Sequence, residues 1–224
     1  EKESKNMFFD FTLQYGLKIF LWFIFAIVIF FYTIRVRRDE RDVDKQIGWL
    51  IFASVGGRII DAALKTAGQY YLWLHGSRLT QFFLGAGLNY DLPSTFNKVS
   101  IFQGSGGYFL FYSLTRFWFS VFASILIALI FGAFLKVLKR RKERFFESGE
   151  VKLGTLTALL VGWPNFIIFL PIVFGSVLLV SAIRSIFFKI RYTTLGLSFT
   201  VACGATLILS STIGPLLNLN VLKI

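Results

Sequence analysis

The 224 residues contain one cysteine, one histidine and one methionine. A single cysteine, Cys203, excludes an internal disulfide framework and a cysteine-based zinc site, and its apolar surroundings predict a buried packing role. The lone histidine, His75, stands beside Gly76 without a second histidine or a nearby carboxylate, so neither it nor any other residue is expected to ligate a metal. Charge is also scarce: only 16% of residues are Asp, Glu, Lys or Arg, against 55% hydrophobic. With a mean hydropathy of +0.67, that balance excludes an ordinary soluble domain. Acids are the rarer charge, 12 against 24 Lys and Arg, giving a net +12. In a soluble chain this excess would suggest nucleic acid. Here the cations occupy short segments beside apolar runs, so no nucleic acid is expected, and membrane lipids with anionic head groups are the expected partner. Gly104-Ser105-Gly106-Gly107 lacks a following Lys-Ser/Thr, which leaves it a flexible connection and no phosphate loop. No inverted repeat is visible and few polar residues interrupt the apolar runs, which disfavours a solute transporter.

What the chain does have is apolar runs long enough to cross a bilayer. The pattern predicts an all-α, polytopic integral membrane helical bundle of about six spans in one domain, over residues 13–34, 47–74, 108–135, 153–163, 166–187 and 195–209. The 28 Phe and 5 Trp suit lipid contact, core packing and interfacial belts. The run 47–74 carries Arg58, Asp61 and Lys65 at helical spacing, so the charges share a face as mutually neutralising pairs. It either crosses with that face inward or lies at the interface, and crossing is favoured. Arg116, within the third run, is expected to pair with Asp61. Trp163-Pro164-Asn165 interrupts the apolar stretch after Leu153, because proline removes an amide donor and disfavours helix at the residue before it. The expected arrangement is a short helix, a turn and a returning helix.

Cations set the orientation. Arg35, Arg37, Arg38, Arg41 and Lys45 follow the first run; Lys136, Lys139, Arg140, Arg141, Lys142, Arg144 and Lys152 follow the third; Arg184, Lys189 and Arg191 close the fifth. All three groups are therefore expected on the cytoplasmic side, with both termini and the Gly-rich insertion 75–107 outside.

Gly149-Glu150-Val151-Lys152-Leu153, followed by Gly162-Trp163 and then Gly175, resembles the second catalytic motif of the type IV prepilin peptidases, membrane aspartic peptidases of the GxGD type. The family pattern reads Gly-x-Gly-Asp-Val-Lys-Leu, with a glycine about a dozen residues beyond the Asp and another in the returning helix. Gly196 and Gly204-Ala205 are similar to the family's glycine-containing closing helix, without its Pro-Phe-Gly-Pro sequence. The family's first motif is an Asp at the cytoplasmic end of an early span, and the matching position in Tyr32-Thr33-Ile34-Arg35 is Thr33.

The resemblance implies a protein of a bacterial or archaeal cytoplasmic (inner) membrane that handles pilin-like substrates with short basic leaders. It needs no cofactor. It also implies candidate catalytic positions Glu150 and Thr33, with Gly149 and Lys152 as candidate substrate-binding residues. Aspartic peptidase chemistry needs two carboxylates near enough to share a proton, one acting as base on water and one as acid on the scissile carbonyl. Glu150 is one methylene longer than Asp and Thr33 carries no charge, so both departures point to impaired or absent activity. Replacement carboxylates are Asp39, which also reads as a solvated loop residue, and Asp61, which also reads as the ion-pair partner of Arg58 or Lys65. Glu150 itself also reads as a structural carboxylate at a helix N-terminus. Two functions follow: a prepilin-peptidase-like protein, active or catalytically degenerate, and a non-enzymatic membrane subunit of a secretion, conjugation or transport assembly.

Overall fold

A computed structural model of the chain describes residues 16–29, 40–87, 102–141, 149–188 and 195–219. The described residues form helices and connections with no strand. In order these are α1 (Gly16–Ile29), α2 (Glu40–Leu74), α3 (Arg78–Gly85), α4 (Gly107–Ser113), which passes through a π-helical turn at Leu114–Trp118 into α5 (Phe119–Arg141), then α6 (Glu150–Val161), α7 (Phe166–Phe188) and α8 (Leu195–Leu216).

Four stretches among the described residues are long and apolar enough to cross a membrane: Lys45–Leu74, Gly107–Arg141, Phe166–Ile186 and Leu195–Leu216. The sequence predicted six. Of the other two, the run 13–34 is described only over 16–29, where it is helical and apolar. Helix α6 has 12 residues, which at ~1.5 Å per residue reaches about 18 Å against a hydrocarbon core of about 30 Å. The run 47–74, for which an interfacial position was the other expectation, is one uninterrupted helix of spanning length.

Bilayer rather than water fits the outer surface. Phe122, Leu126, Leu129 and Phe134 of α5 and Phe174, Leu178, Leu179 and Ile186 of α7 are all more than half exposed. Side chains of this kind, gathered in such patches, have no favourable contact with water.

The core is organised around the short helix. Nine residues of α6 are buried, including Leu156, Ala158 and Leu160 at 0% exposure. Such a helix, apolar all round, belongs in the centre of a bundle. Small residues let its neighbours close in. Gly154 faces Leu135 and Phe199, Gly132 faces the Thr155 hydroxyl, and on the outer layer Gly57 and Gly204 face Phe20 and Phe25 of α1. Close approach over glycine is how membrane helices gain van der Waals contact without a hydrophobic driving force. Phe131 ties three helices together by edge-to-face contacts with Phe166 and Phe169 of α7 and Phe199 of α8, centroids 5.5, 6.1 and 6.1 Å away.

The contacts fix the helix directions. Trp163, just past the end of α6, meets Ser124 in the first turns of α5, whereas Gly154 meets Leu135 further along, so α5 and α6 are antiparallel. Glu150 meets Gly196 and Thr157 meets Cys203, so α6 and α8 are parallel. Helix α7 joins the far end of α6 to the start of α8 and must run alongside α5. The start of α6, the start of α8 and the basic last turn of α5 therefore share one end of the bundle.

Candidate functional site

Both ends of α6 are satisfied by side chains, and these two ends hold the buried charged residues among those described, Glu150 and Arg58. A helix terminus leaves four amides or four carbonyls without intrahelical partners, and inside a bilayer no water supplies them.

At the first end, Gly149 takes φ 83°, a left-handed conformation that glycine adopts without penalty, and its carbonyl accepts the Leu153 amide at 2.9 Å. Glu150 opens the helix with a side chain at 0% exposure. Its carboxyl Oε1 accepts the backbone N–H of Gly196 at 2.7 Å, in the first turn of α8. The carboxyl group thus lies between two helix N-termini, where their dipoles favour negative charge. Two residues on, the Lys152 side chain is exposed.

At the other end, Arg58 reaches across from the middle of α2, 5% exposed. One guanidinium nitrogen donates to the carbonyls of Leu159 and Leu160 at 2.7 and 3.1 Å, and the other lies 3.5 Å from Ser124 Oγ. A cation on the last carbonyls of α6 satisfies two orphan acceptors and complements the negative end of the dipole. Ser124 extends the network, donating to the Ser120 carbonyl at 2.6 Å and accepting the Trp163 amide at 2.9 Å. Gly162 ends the helix at φ 64° directly against the Arg58 guanidinium, where a side chain would collide. The Trp163–Pro164 peptide is cis, and the Asn165 carbonyl accepts the amides of Ile168 and Phe169 to start α7.

Of the residues singled out from sequence, Thr33 and Asp39 lie outside the described residues. Asp61 forms an ion pair with Lys65, Oδ2 to Nζ 2.7 Å, one turn away on the same helix. Of the pairs expected on this face, Asp61–Lys65 is present, whereas the Arg58 donors go to α6 carbonyls and not to Asp61; Arg116 was the other partner expected for Asp61. Arg116 sits in the π-helical turn before α5. Glu150 and Asp61 are not brought together. Arg58, one turn before Asp61, meets α6 nine residues beyond Glu150, about 14 Å along the axis at ~1.5 Å per residue. Sequence reasoning did not anticipate Ser124 or the carbonyls of Leu159 and Leu160. Backbone acceptors leave no mark in a sequence, and Ser124 is a small polar residue inside an apolar run. Among the described residues no group of three His, Cys, Asp or Glu gathers that could hold a metal ion.

No protein-family model, curated protein or solved structure matches the chain.

Proposed function

We propose that the chain is a prepilin-peptidase-like membrane protein whose hydrolytic pair has been dismantled, and that it acts as a non-hydrolytic subunit of a secretion or pilus-type assembly in a bacterial or archaeal cytoplasmic membrane. The observation that carries this reading is the position of Glu150. The carboxyl group at the motif's acidic position is fully buried, and one of its oxygens accepts the Gly196 amide. A peptidase carboxylate has to meet both water and the scissile carbonyl; this one joins the starts of α6 and α8. Two further features support the reading: a threonine stands at the first motif position, and Asp61, one of the two replacement carboxylates, is engaged with Lys65.

In this reading the apolar helical bundle presents its lipid-facing surface to the apolar helix of a pilin-like protein or to neighbouring assembly subunits without cutting, and its basic end faces anionic head groups. The test is co-expression with a prepilin-like substrate that carries a basic leader and an apolar helix. Wild-type protein is expected to leave the leader intact, as is Glu150→Ala. Leader removal by the wild type that disappears in Glu150→Ala overturns the proposal. Cleavage gained by the Thr33→Asp, Glu150→Asp double variant supports it, since it identifies the lost pair.

A further inference from the structure

An apolar groove of about 510 Å³ runs down one side of the bundle between α5, α7 and α8, lined among others by Ile127, Phe131, Leu138, Leu170, Val177 and Phe199, with apolar side chains along its whole length. Ile130, Phe134 and Phe174, each more than half exposed, stand at its rim, so it opens sideways towards the bilayer. On α5 it extends from Ile127 to Leu138, a rise of about 16 Å at ~1.5 Å per residue. One leaflet of a hydrocarbon core about 30 Å thick is about 15 Å deep. The groove therefore has the length of a single lipid tail in one leaflet.

Its end is positively charged on both walls. Residues three or four apart are neighbours on a helix face. Lys139 follows Leu135 at four and Arg141 follows Leu138 at three, so both continue the groove-lining face of α5 past its last apolar residue. On α7, Arg184 follows Val177 at seven, two turns along the same face and in the same direction. Lys139 and Arg184 are half-buried and Arg141 is exposed. None of α5, α7 and α8 contains an acidic residue, and Glu150 is the last acid in the chain.

We infer that this groove is a binding site for an anionic phospholipid, one tail lying along α5 and the head-group phosphate held by Lys139, Arg141 and Arg184. Tail length, apolar lining and three cations beyond the same end of the groove select the occupant together. A neutral zwitterionic lipid fills the groove equally well but gains less from the cations. An apolar helix of a second copy, basic at this end, would be repelled by them. The inference does not depend on whether the protein cleaves anything.

The full chain, purified in mild detergent and freed of native lipid, is titrated with dioleoyl phosphatidylglycerol or dioleoyl phosphatidylcholine, with bound lipid counted by native mass spectrometry and thermal unfolding followed in parallel. Each cation near a head group favours an anionic lipid by roughly fivefold at low salt, so phosphatidylglycerol is expected to bind at least about tenfold tighter and to raise the unfolding temperature further. The Lys139→Gln, Arg141→Gln, Arg184→Gln variant, whose changes lie away from the core, is expected to unfold at the wild-type temperature without lipid and to lose the preference. Val177→Trp, which fills the groove, is expected to bind less of both lipids. Equal binding of the two lipids by wild type, or a phosphatidylglycerol preference retained in the triple variant, overturns the assignment. So does a lipid-free wild-type dimer that Val177→Trp converts to monomer, because a second copy would then occupy the groove.

Discussion

Methionine at position 58 would keep most of the length of the arginine while removing the side-chain donors from the last carbonyls of α6. The Arg58 guanidinium makes two short hydrogen bonds, to the carbonyls of Leu159 and Leu160 at 2.7 and 3.1 Å. Hydrogen bonds to a charged group contribute about 1.5–3 kcal/mol each in soluble proteins, but side-chain bonds in membrane bundles average about 0.6 kcal/mol with a maximum near 1.7. The membrane values apply here, and two bonds near that upper range give about 2–3 kcal/mol. An opposing term is the removal of a charge from the middle of a span, worth about 2.5–3.5 kcal/mol for an arginine facing lipid. This arginine does not face lipid. It lies against the negative end of a helix dipole, one turn from Asp61, so most of that penalty is already offset. The net expectation is that Arg58→Met destabilises the fold by about 2 kcal/mol. Arg58→Lys, which keeps a point charge but loses the planar fork, should do so by about 1 kcal/mol. Reversible unfolding in mixed detergent micelles, followed by tryptophan fluorescence, reads both. If Arg58→Met is as stable as wild type or more so, the guanidinium is a burden retained for another purpose, and its role as the cap of α6 is wrong.

Glu150→Gln keeps an oxygen for the Gly196 amide, so it should unfold within about 1 kcal/mol of wild type, whereas Glu150→Ala, which leaves that buried N–H without an acceptor, should lose about 1–3 kcal/mol; equal losses in the two variants would show that the hydrogen bond is not what Glu150 supplies. Gly162→Ala combines a positive φ with a collision against the Arg58 guanidinium, and a loss of at least about 2 kcal/mol is expected, measured by the same unfolding assay and partly relieved in an Arg58→Met background. The Asp61–Lys65 pair is 16% and 26% exposed at its side chains and spaced at i, i+4, so a double-mutant cycle should return a coupling below about 1 kcal/mol; a larger value would make the pair part of the core network.

Much of the helical architecture was legible because a bilayer imposes it. Runs of Phe, Leu and Ile bounded by Lys and Arg leave few options for the backbone in a solvent without hydrogen bonds. The interruption around Pro164 was legible too: α6 ends at Val161, capped by Gly162, and α7 begins at Phe166, on either side of a proline that has no amide to donate. The span count was less legible. The stretch from Leu153 to Ile183 carries no charge, and hydropathy does not distinguish a half-depth helix held by protein on all sides from one that crosses. Arg58 was misread for a related reason. Its nearest acid in sequence is Asp61, three residues away, and local spacing favours that pair, but the acceptors it uses are backbone carbonyls 101 and 102 residues along the chain. Glu150 stood out from its neighbours, while its burial depended on α8 arriving with the Gly196 amide, a tertiary fact. Thr33 and Asp39 fall outside the described residues.

The two caps of α6 also bear on whether the carboxyl at position 150 is available for proton transfer. A helix too short to cross the bilayer is tolerated only where protein encloses it and its termini are paired. Arg58, donating to backbone carbonyls, and Gly162, at a positive φ, close one terminus of α6; the opposite terminus relies on Gly149 and on the Glu150 carboxyl reaching α8. The longer glutamate side chain can bridge to the neighbouring helix, and once it does, the group that anchors α8 is no longer free to turn towards water. Anchoring and proton transfer then compete for the same carboxyl. A variant shortened to Glu150→Asp should therefore loosen the contact with Gly196 while exposing the carboxyl. Faster amide hydrogen exchange at the start of α8 in that variant, with exchange in the Arg58-capped end of α6 unchanged, is the expected signature. Uniform acceleration across α6 and α8 would mean that the two caps do not act separately.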